Sequence, residues 1–254
     1  MGFRPILLVI VLALTGRVFL FADMARANGL AADVSDRLIG ITTAFVGGEV
    51  VVFGAIDDAG GDIVITMQGP RKNQMVRRKS RVAGIWVNRD RVAFDNVPSF
   101  FAIAASEPLD EIASPSVRNQ FALGVNHLSM TMLDGDGYDA EERKAFEEAL
   151  IRNKQKAGLY SKEPERVTFP GPKLFRATFS FPANVPPGDY EVEVFKLQGG
   201  QVVDAQRSGL KINKIGIEAD VFDFANQQSA LYGMLAIVIA VTAGWIAGVV
   251  FRRA

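Results

Sequence analysis

The longest uninterrupted apolar stretch runs from Ala230 to Phe251, ALYGMLAIVIAVTAGWIAGVVF, and carries no charge. About 20 apolar residues at a rise of 1.5 Å each span a hydrocarbon core of roughly 30 Å, so the stretch predicts one transmembrane helix. Arg252 and Arg253 follow it directly. Positive residues stay on the cytoplasmic side, which places the tail 252–254 inside and everything before Ala230 outside, with Tyr232 at the outer interface. Within the helix Ala236, Ala240, Gly244 and Gly248 recur every four residues and form one ridge of small side chains. Such ridges let helix backbones approach closely in lipid, so they predict packing against a second copy or a multispanning protein.

A second apolar stretch lies near the N-terminus. Arg4 precedes the run Ile6 to Leu14, and Ala25-Arg26-Ala27 follows with the small-x-small spacing of a signal-peptidase site. Residues 1–27 therefore read as a secretory signal peptide. An uncleaved anchor over Ile6 to Ala22 is the alternative; it would hold Arg17 in hydrocarbon at a cost of about 2.5–3.5 kcal/mol.

Between the ends the pattern is mostly that of strands. Arg37 to Thr43, Glu49 to Ile56 and Asp62 to Gln68 are rich in β-branched residues and separated by glycine-rich turns, including Gly47-Gly48 and Gly60-Gly61. Val50 to Phe53 is apolar at every position, as expected for a central strand. Further strands are expected at Met75–Lys79, Gly84–Asn88, Arg91–Phe94 and Ser99–Ala105. Phe175, Ala177, Phe179 and Phe181 alternate with Arg176, Thr178 and Ser180, a period of two with one buried face. Pro186-Pro187-Gly188-Asp189-Tyr190 leads into alternating valines, like the corner before the penultimate strand of immunoglobulin domains, where a tyrosine hydroxyl bonds back to the backbone. Gln198-Gly199-Gly200-Gln201 reads as a hairpin turn into final strands at Val202–Leu210 and Lys211–Ile215.

Residues 107–165 break this pattern. Glu107 to Gln120 contains Pro108 and Pro115 and allows only short helical turns. Asp139 to Lys156 predicts a helix, with Asp139 as cap, Glu142 at capping-box spacing, Phe146, Ala149 and Leu150 on the apolar face and Gly158 as terminator. The expected fold is mainly β: an immunoglobulin-like β-sandwich built from strand sets at 28–106 and 166–225, an α-helical insertion at 107–165, and the transmembrane helix at 230–251.

Composition narrows function mostly by exclusion. The chain has 254 residues, 49 % of them hydrophobic and 22 % charged, so it is not a disordered chain. Zero formal net charge argues against a nucleic-acid partner, and the absence of cysteine excludes disulfides, zinc thiolates and thiol nucleophiles. The one histidine, His127, has no second histidine beside it in sequence to suggest a metal site, and it reads as a satisfied or surface residue. No Gly-x-Ser-x-Gly or Walker-type loop is present. Asp134 to Asp139 resembles part of a calcium loop, but Tyr138 and Ala145 occupy positions where an EF-hand needs oxygen ligands, so an acidic loop before a helix is the simpler reading. No metal or cofactor is expected.

The charge distribution is less ordinary. Between Arg71 and Arg91 lie eight basic residues, Arg71, Lys72, Arg77, Arg78, Lys79, Arg81, Arg89 and Arg91, against Asp90 alone. Asp134 to Glu148 carries seven acids against Arg143 and Lys144. The basic strip, Arg71, Lys72, Arg77, Arg78, Lys79 and Arg81 above all, is a candidate site for an anion, lipid headgroups or an acidic partner. It could equally be a charged edge strand that blocks aggregation, or pair with the acidic patch.

The segments VRRKSRVAGIWVN (Val76–Asn88), EEALIRNKQKAGLY (Glu147–Tyr160) and LFRATFSFPANVPPGDYEVEVF (Leu174–Phe195), with the final span, resemble an alphaproteobacterial family of transmembrane proteins of uncharacterised function. The resemblance implies architecture and no catalytic residues. It also suggests proximity to permeases of the sulfite-exporter type. The expectation is therefore a non-enzymatic binding or accessory subunit in the bacterial inner membrane, with its body in the periplasm and a membrane permease, such as an anion exporter of the sulfite type, as partner. A self-associating structural envelope protein and a membrane-anchored hydrolase using paired carboxylates are the alternatives.

Overall fold

The computed structural model describes residues 29–42, 44–57, 60–82, 84–133, 137–215 and 224–251. The expected signal peptide at 1–27, the loop residues Asp134 to Asp136 and the tail 252–254 lie outside them.

Twelve strands are present among the described residues: β1 (Leu30–Val34), β2 (Leu38–Ile41), β3 (Gly47–Ile56), β4 (Asp62–Gln68), β5 (Arg71–Val82), β6 (Ile85–Pro98), β7 (Phe101–Ala105), β8 (Thr131–Met132), β9 (Glu165–Arg166), β10 (Leu174–Pro182), β11 (Gly188–Gln198) and β12 (Gln201–Lys214). The α-helices among the described residues include α1 (Leu109–Ile112), α2 (Pro115–Gln120), α3 (Ala140–Lys156) and α4 (Ser229–Phe251). The protein is mostly β, in three sheets ordered β1-β3-β10, β2-β12-β11-β4-β7-β9 and β5-β6-β8.

The alternation in LFRATFSFP decides the first interface. On β10, Phe175, Ala177, Phe179 and Phe181 are buried while Arg176, Thr178 and Ser180 are exposed. They join Val50 and Val52 of β3 and meet Ile63, Ile65 and Met67 of β4 and Tyr190, Val192 and Val194 of β11 in one apolar core. Two sheets thus face each other, and each draws strands from both sides of the helical segment.

The six-stranded sheet is covered on its other face as well. Val64, Phe101, Ile103, Phe195 and Leu197 pack under Ile112 of α1, Val117 of α2, and Leu123 and Leu128. Strand β4 is therefore buried on both faces, which explains its continuous apolar run. The equally apolar Val50 to Phe53 behaves differently: β3 is central in its sheet, but Phe53 remains 47 % exposed because nothing covers the outer face.

Other expectations need correction. Met75–Lys79, Gly84–Asn88 and Arg91–Phe94 do not belong to the sandwich; they are parts of one long hairpin, β5–β6, in its own sheet. The final two strands are one, β12, because pairing with β11 carries it straight through Ser208 and Gly209; its far end pairs in parallel with β2. Gly47 and Gly48 open β3 instead of forming a turn. Gly47 takes a φ of +125°, and a Cβ there would stand 2.7 Å from the Phe181 carbonyl oxygen, so glycine is required for close strand approach. The Gln198–Gln201 turn is as expected, with Gly199 and Gly200 at φ +57° and +79°, the pair of positive values a type I′ hairpin needs.

The expected tyrosine bond is present: Tyr190 Oη donates to the Pro186 carbonyl at 2.6 Å, with its ring between Phe100 and Phe181. Tyr160 Oη likewise donates to the Pro98 carbonyl at 2.7 Å. Burial pushes both phenols well above the usual tyrosine range. Folded pKa values raised above the unfolded 10.0 give stability that is complete below pH 10 and declines above it, by up to about 1.4 kcal/mol per pH unit for each phenol. Tyr190→Phe is expected to lose about 1–2 kcal/mol at neutral pH and to flatten that alkaline decline. Urea unfolding at pH 8 and pH 11 measures both.

Candidate functional site

Strand β5 is the edge of its sheet and forms a long hairpin with β6. Its base is anchored by apolar contacts. Val76, Val92, Phe94 and Val97 pack against Phe146 and Leu150 of α3, which presents this face because residues four apart share a side. Asp139 caps α3, its Oδ1 accepting from the Glu142 backbone N–H at 2.8 Å, and Gly158 ends it at φ +72°.

Capping also aims the acidic first turn of α3 at the hairpin. Arg78 donates from Nε to Asp90 Oδ2 at 2.8 Å and from its terminal nitrogen to Glu142 Oε1 at 3.2 Å. Its guanidinium lies 5.2 Å from the centre of the Phe146 ring. Its hydrogen bonds to Asp90 and then Glu142 hold the guanidinium charged even more firmly than usual. The basic and acidic patches therefore do pair, and among the described residues Arg78 is the one of the six candidate basic residues that makes the contact. With Arg78 46 % exposed, the Glu142 pair is expected to contribute under about 1 kcal/mol. A double-mutant cycle of Arg78→Ala and Glu142→Gln should give a small coupling energy that shrinks further in salt.

The other five basic candidates divide. Arg71 is tied at the hairpin base, donating to the Asn96 carbonyl at 3.1 Å and Gln68 Oε1 at 2.7 Å. Lys72 stands near Lys154 and disfavours that residue's charged form. Arg77 and Lys79 are exposed, and Arg81 is exposed with only a 3.3 Å bond to the Gly84 carbonyl. A cleft of about 380 Å³ between β5 and α3 is lined by Arg77, Arg78, Lys79, Phe146, Glu148 and Arg152. Arg152 was not among the sequence candidates; its signal was the helical spacing from Glu148.

Two further features escaped the sequence reading. Lys154 is buried, donating to the Ser99 carbonyl at 3.4 Å with its ammonium 5.9 Å from the Tyr160 ring centre. Burial, and secondarily Lys72, lowers its pKa from the usual lysine value. Its spacing from Phe146 and Leu150 on the same helix face was the available signal. The second is the hairpin tip, where Ile85 is 69 % and Trp86 66 % exposed.

Among other sequence candidates, His127 is satisfied by Asn119 through Nδ1, and burial lowers its pKa. Among the described residues no group of His, Cys, Asp or Glu is placed to hold a metal ion. Ala236, Ala240, Gly244 and Gly248 lie on α4, where none of the apolar window Ser229–Gly248 is buried and nothing stands within 4 Å of a Cβ built at Gly244 or Gly248. An apolar helix left entirely bare by its own protein is suited to lipid, not water.

A family model described as "Putative transmembrane protein (Alph_Pro_TM)" matches residues 29–253. The chain belongs to this family. Membership and α4 together make it a membrane protein, with one candidate spanning helix among the described residues. No curated protein matches the chain. Among solved structures it is similar to the sporulation control protein Spo0M of Bacillus subtilis, at 10 % identity and a TM-score of 0.30, over 78 % of this chain and 54 % of that one. So weak a likeness carries no argument about this family member.

Proposed function

We propose that the protein is a single-pass inner-membrane subunit that works by binding, with its β-rich body in the periplasm and residues 252–254 in the cytoplasm. The observation that carries this reading is the apolar α4, bare among the described residues, with open space at Gly244 and Gly248 of its small-residue ridge. Arg252 and Arg253 beyond the helix support the orientation. The body is read as an immunoglobulin-like sandwich, supported by the parallel pairing of β2 with β12 and by the Tyr190–Pro186 bond.

The partner that fits α4 is another membrane helix, in a permease such as an anion exporter. Gly244→Ile with Gly248→Ile is expected to abolish co-purification of a membrane partner in mild detergent while leaving the body folded. Recovery of the native protein alone contradicts an accessory role. Recovery only with copies of itself replaces that role with self-association through the same helix.

A further inference from the structure

We propose that the tip of the β5–β6 hairpin inserts end-on into the anionic surface of the bilayer that holds α4. Beyond Arg78 and Asp90 the hairpin continues for four cross-strand pairs, Lys79–Asn88, Ser80–Val87, Arg81–Trp86 and Val82–Ile85, a reach of roughly 14 Å at the usual rise per residue. The apolar cluster that anchors its base includes none of Ile85, Trp86 and Val87, and all three are exposed.

The arrangement of these side chains selects the occupant. Alternation along β5 puts Arg77, Lys79 and Arg81 on one face, and the register adds Trp86 to it through Arg81. Ile85 and Val87, paired with Val82 and Ser80, fall on the opposite face. A protein surface packed against either face would leave the other in water. A medium entered end-on covers both. Behind the apolar tip, among the described residues, Arg77 and Lys79 have no anionic partner and Arg81 has only a backbone carbonyl, so the stem presents positive charge at the depth where headgroup phosphates lie. An indole at the interface with basic residues behind it is the usual chemistry of membrane-surface anchoring.

This inference rests on α4 spanning the bilayer, and the experiment separates the two. The chain has two tryptophans, so Trp245→Phe leaves Trp86 as the sole tryptophan, which is excited selectively at wavelengths beyond tyrosine absorption. The full-length variant is reconstituted into phosphatidylcholine vesicles with or without phosphatidylglycerol, and with lipids brominated near the headgroup end of the acyl chains. With phosphatidylglycerol present, Trp86 emission is expected to move to the blue, to lose quenching by aqueous acrylamide and to be quenched by the brominated lipid. High salt, pure phosphatidylcholine, or the triple variant Arg77→Glu, Lys79→Glu, Arg81→Glu should each reverse the shift. Vesicles that carry the protein with Trp86 still open to acrylamide overturn the proposal and leave the membrane reading intact. A blue-shifted Trp86 that brominated lipid does not quench also overturns it, because the tip is then buried against protein. Failure of the chain to float with the vesicles brings down the membrane reading and the proposal with it.

Discussion

Phe179→Ala is expected to lower the free energy of unfolding by about 3–5 kcal/mol, the largest effect of any single truncation considered for the body. Phe179 is fully buried, pairs with Val50 in the register of β10 and β3, and shares the core between the two facing sheets with Ile65, Met67 and Val192. Removing its ring forfeits the transfer of that area from water and leaves a cavity that two hydrogen-bonded sheets cannot close. Against a typical total of about 5–15 kcal/mol, the variant is left marginal. Phe53→Ala provides the internal comparison. It removes the same side chain from the same sheet, but Phe53 points outward and is 47 % exposed, so the cost should be well under half as large. Chemical unfolding of both variants tests the assignment of faces; equal losses would mean that the outer face of β3 is covered in the working protein.

Ile239→Arg combined with Val241→Arg is expected to release the body from membranes. Each substitution replaces a favourable apolar residue near the middle of α4 with a cation, a change of about 3–4 kcal/mol, and the two together oppose insertion by roughly 6–8 kcal/mol. Both positions are exposed on α4 and the helix makes no buried contact with the body, so the body's own fold should be unaffected. The readout is partition between pelleted membranes and supernatant, with an urea midpoint for the released protein as the check on its fold.

Where one side of an element faces the core, its pattern was legible in the residues. LFRATFSFP gave the face of β10, Asp139 and Gly158 bounded α3, and the PPGDY corner anticipated the Tyr190 bond. The misreadings have physical causes. Leu30 to Val34 forms β1 although Ala31, Ala32 and Asp33 have little strand preference, because β3 supplies the pairing. The long hairpin was read as fragments because its upper half has no buried face to create an alternation. The two-sided burial of β4 required knowing that α1 and α2 lie over its back. The same limit applied to the candidate site. Charge counting found the basic strip and the acidic helix, but Arg78 and Glu142 are 64 positions apart, and only the fold selects which cation is neutralised and which remain open.

The absence of cysteine makes the central claim directly measurable. Lys162→Cys, on the exposed surface of the body, and Ala254→Cys, beyond α4, give two single-cysteine proteins for labelling with a membrane-impermeant maleimide in right-side-out spheroplasts. The account predicts that Lys162→Cys is labelled in intact spheroplasts and Ala254→Cys only after lysis, with both proteins in the membrane pellet. Labelling of Ala254→Cys before lysis, or recovery of either protein in the supernatant, would contradict it.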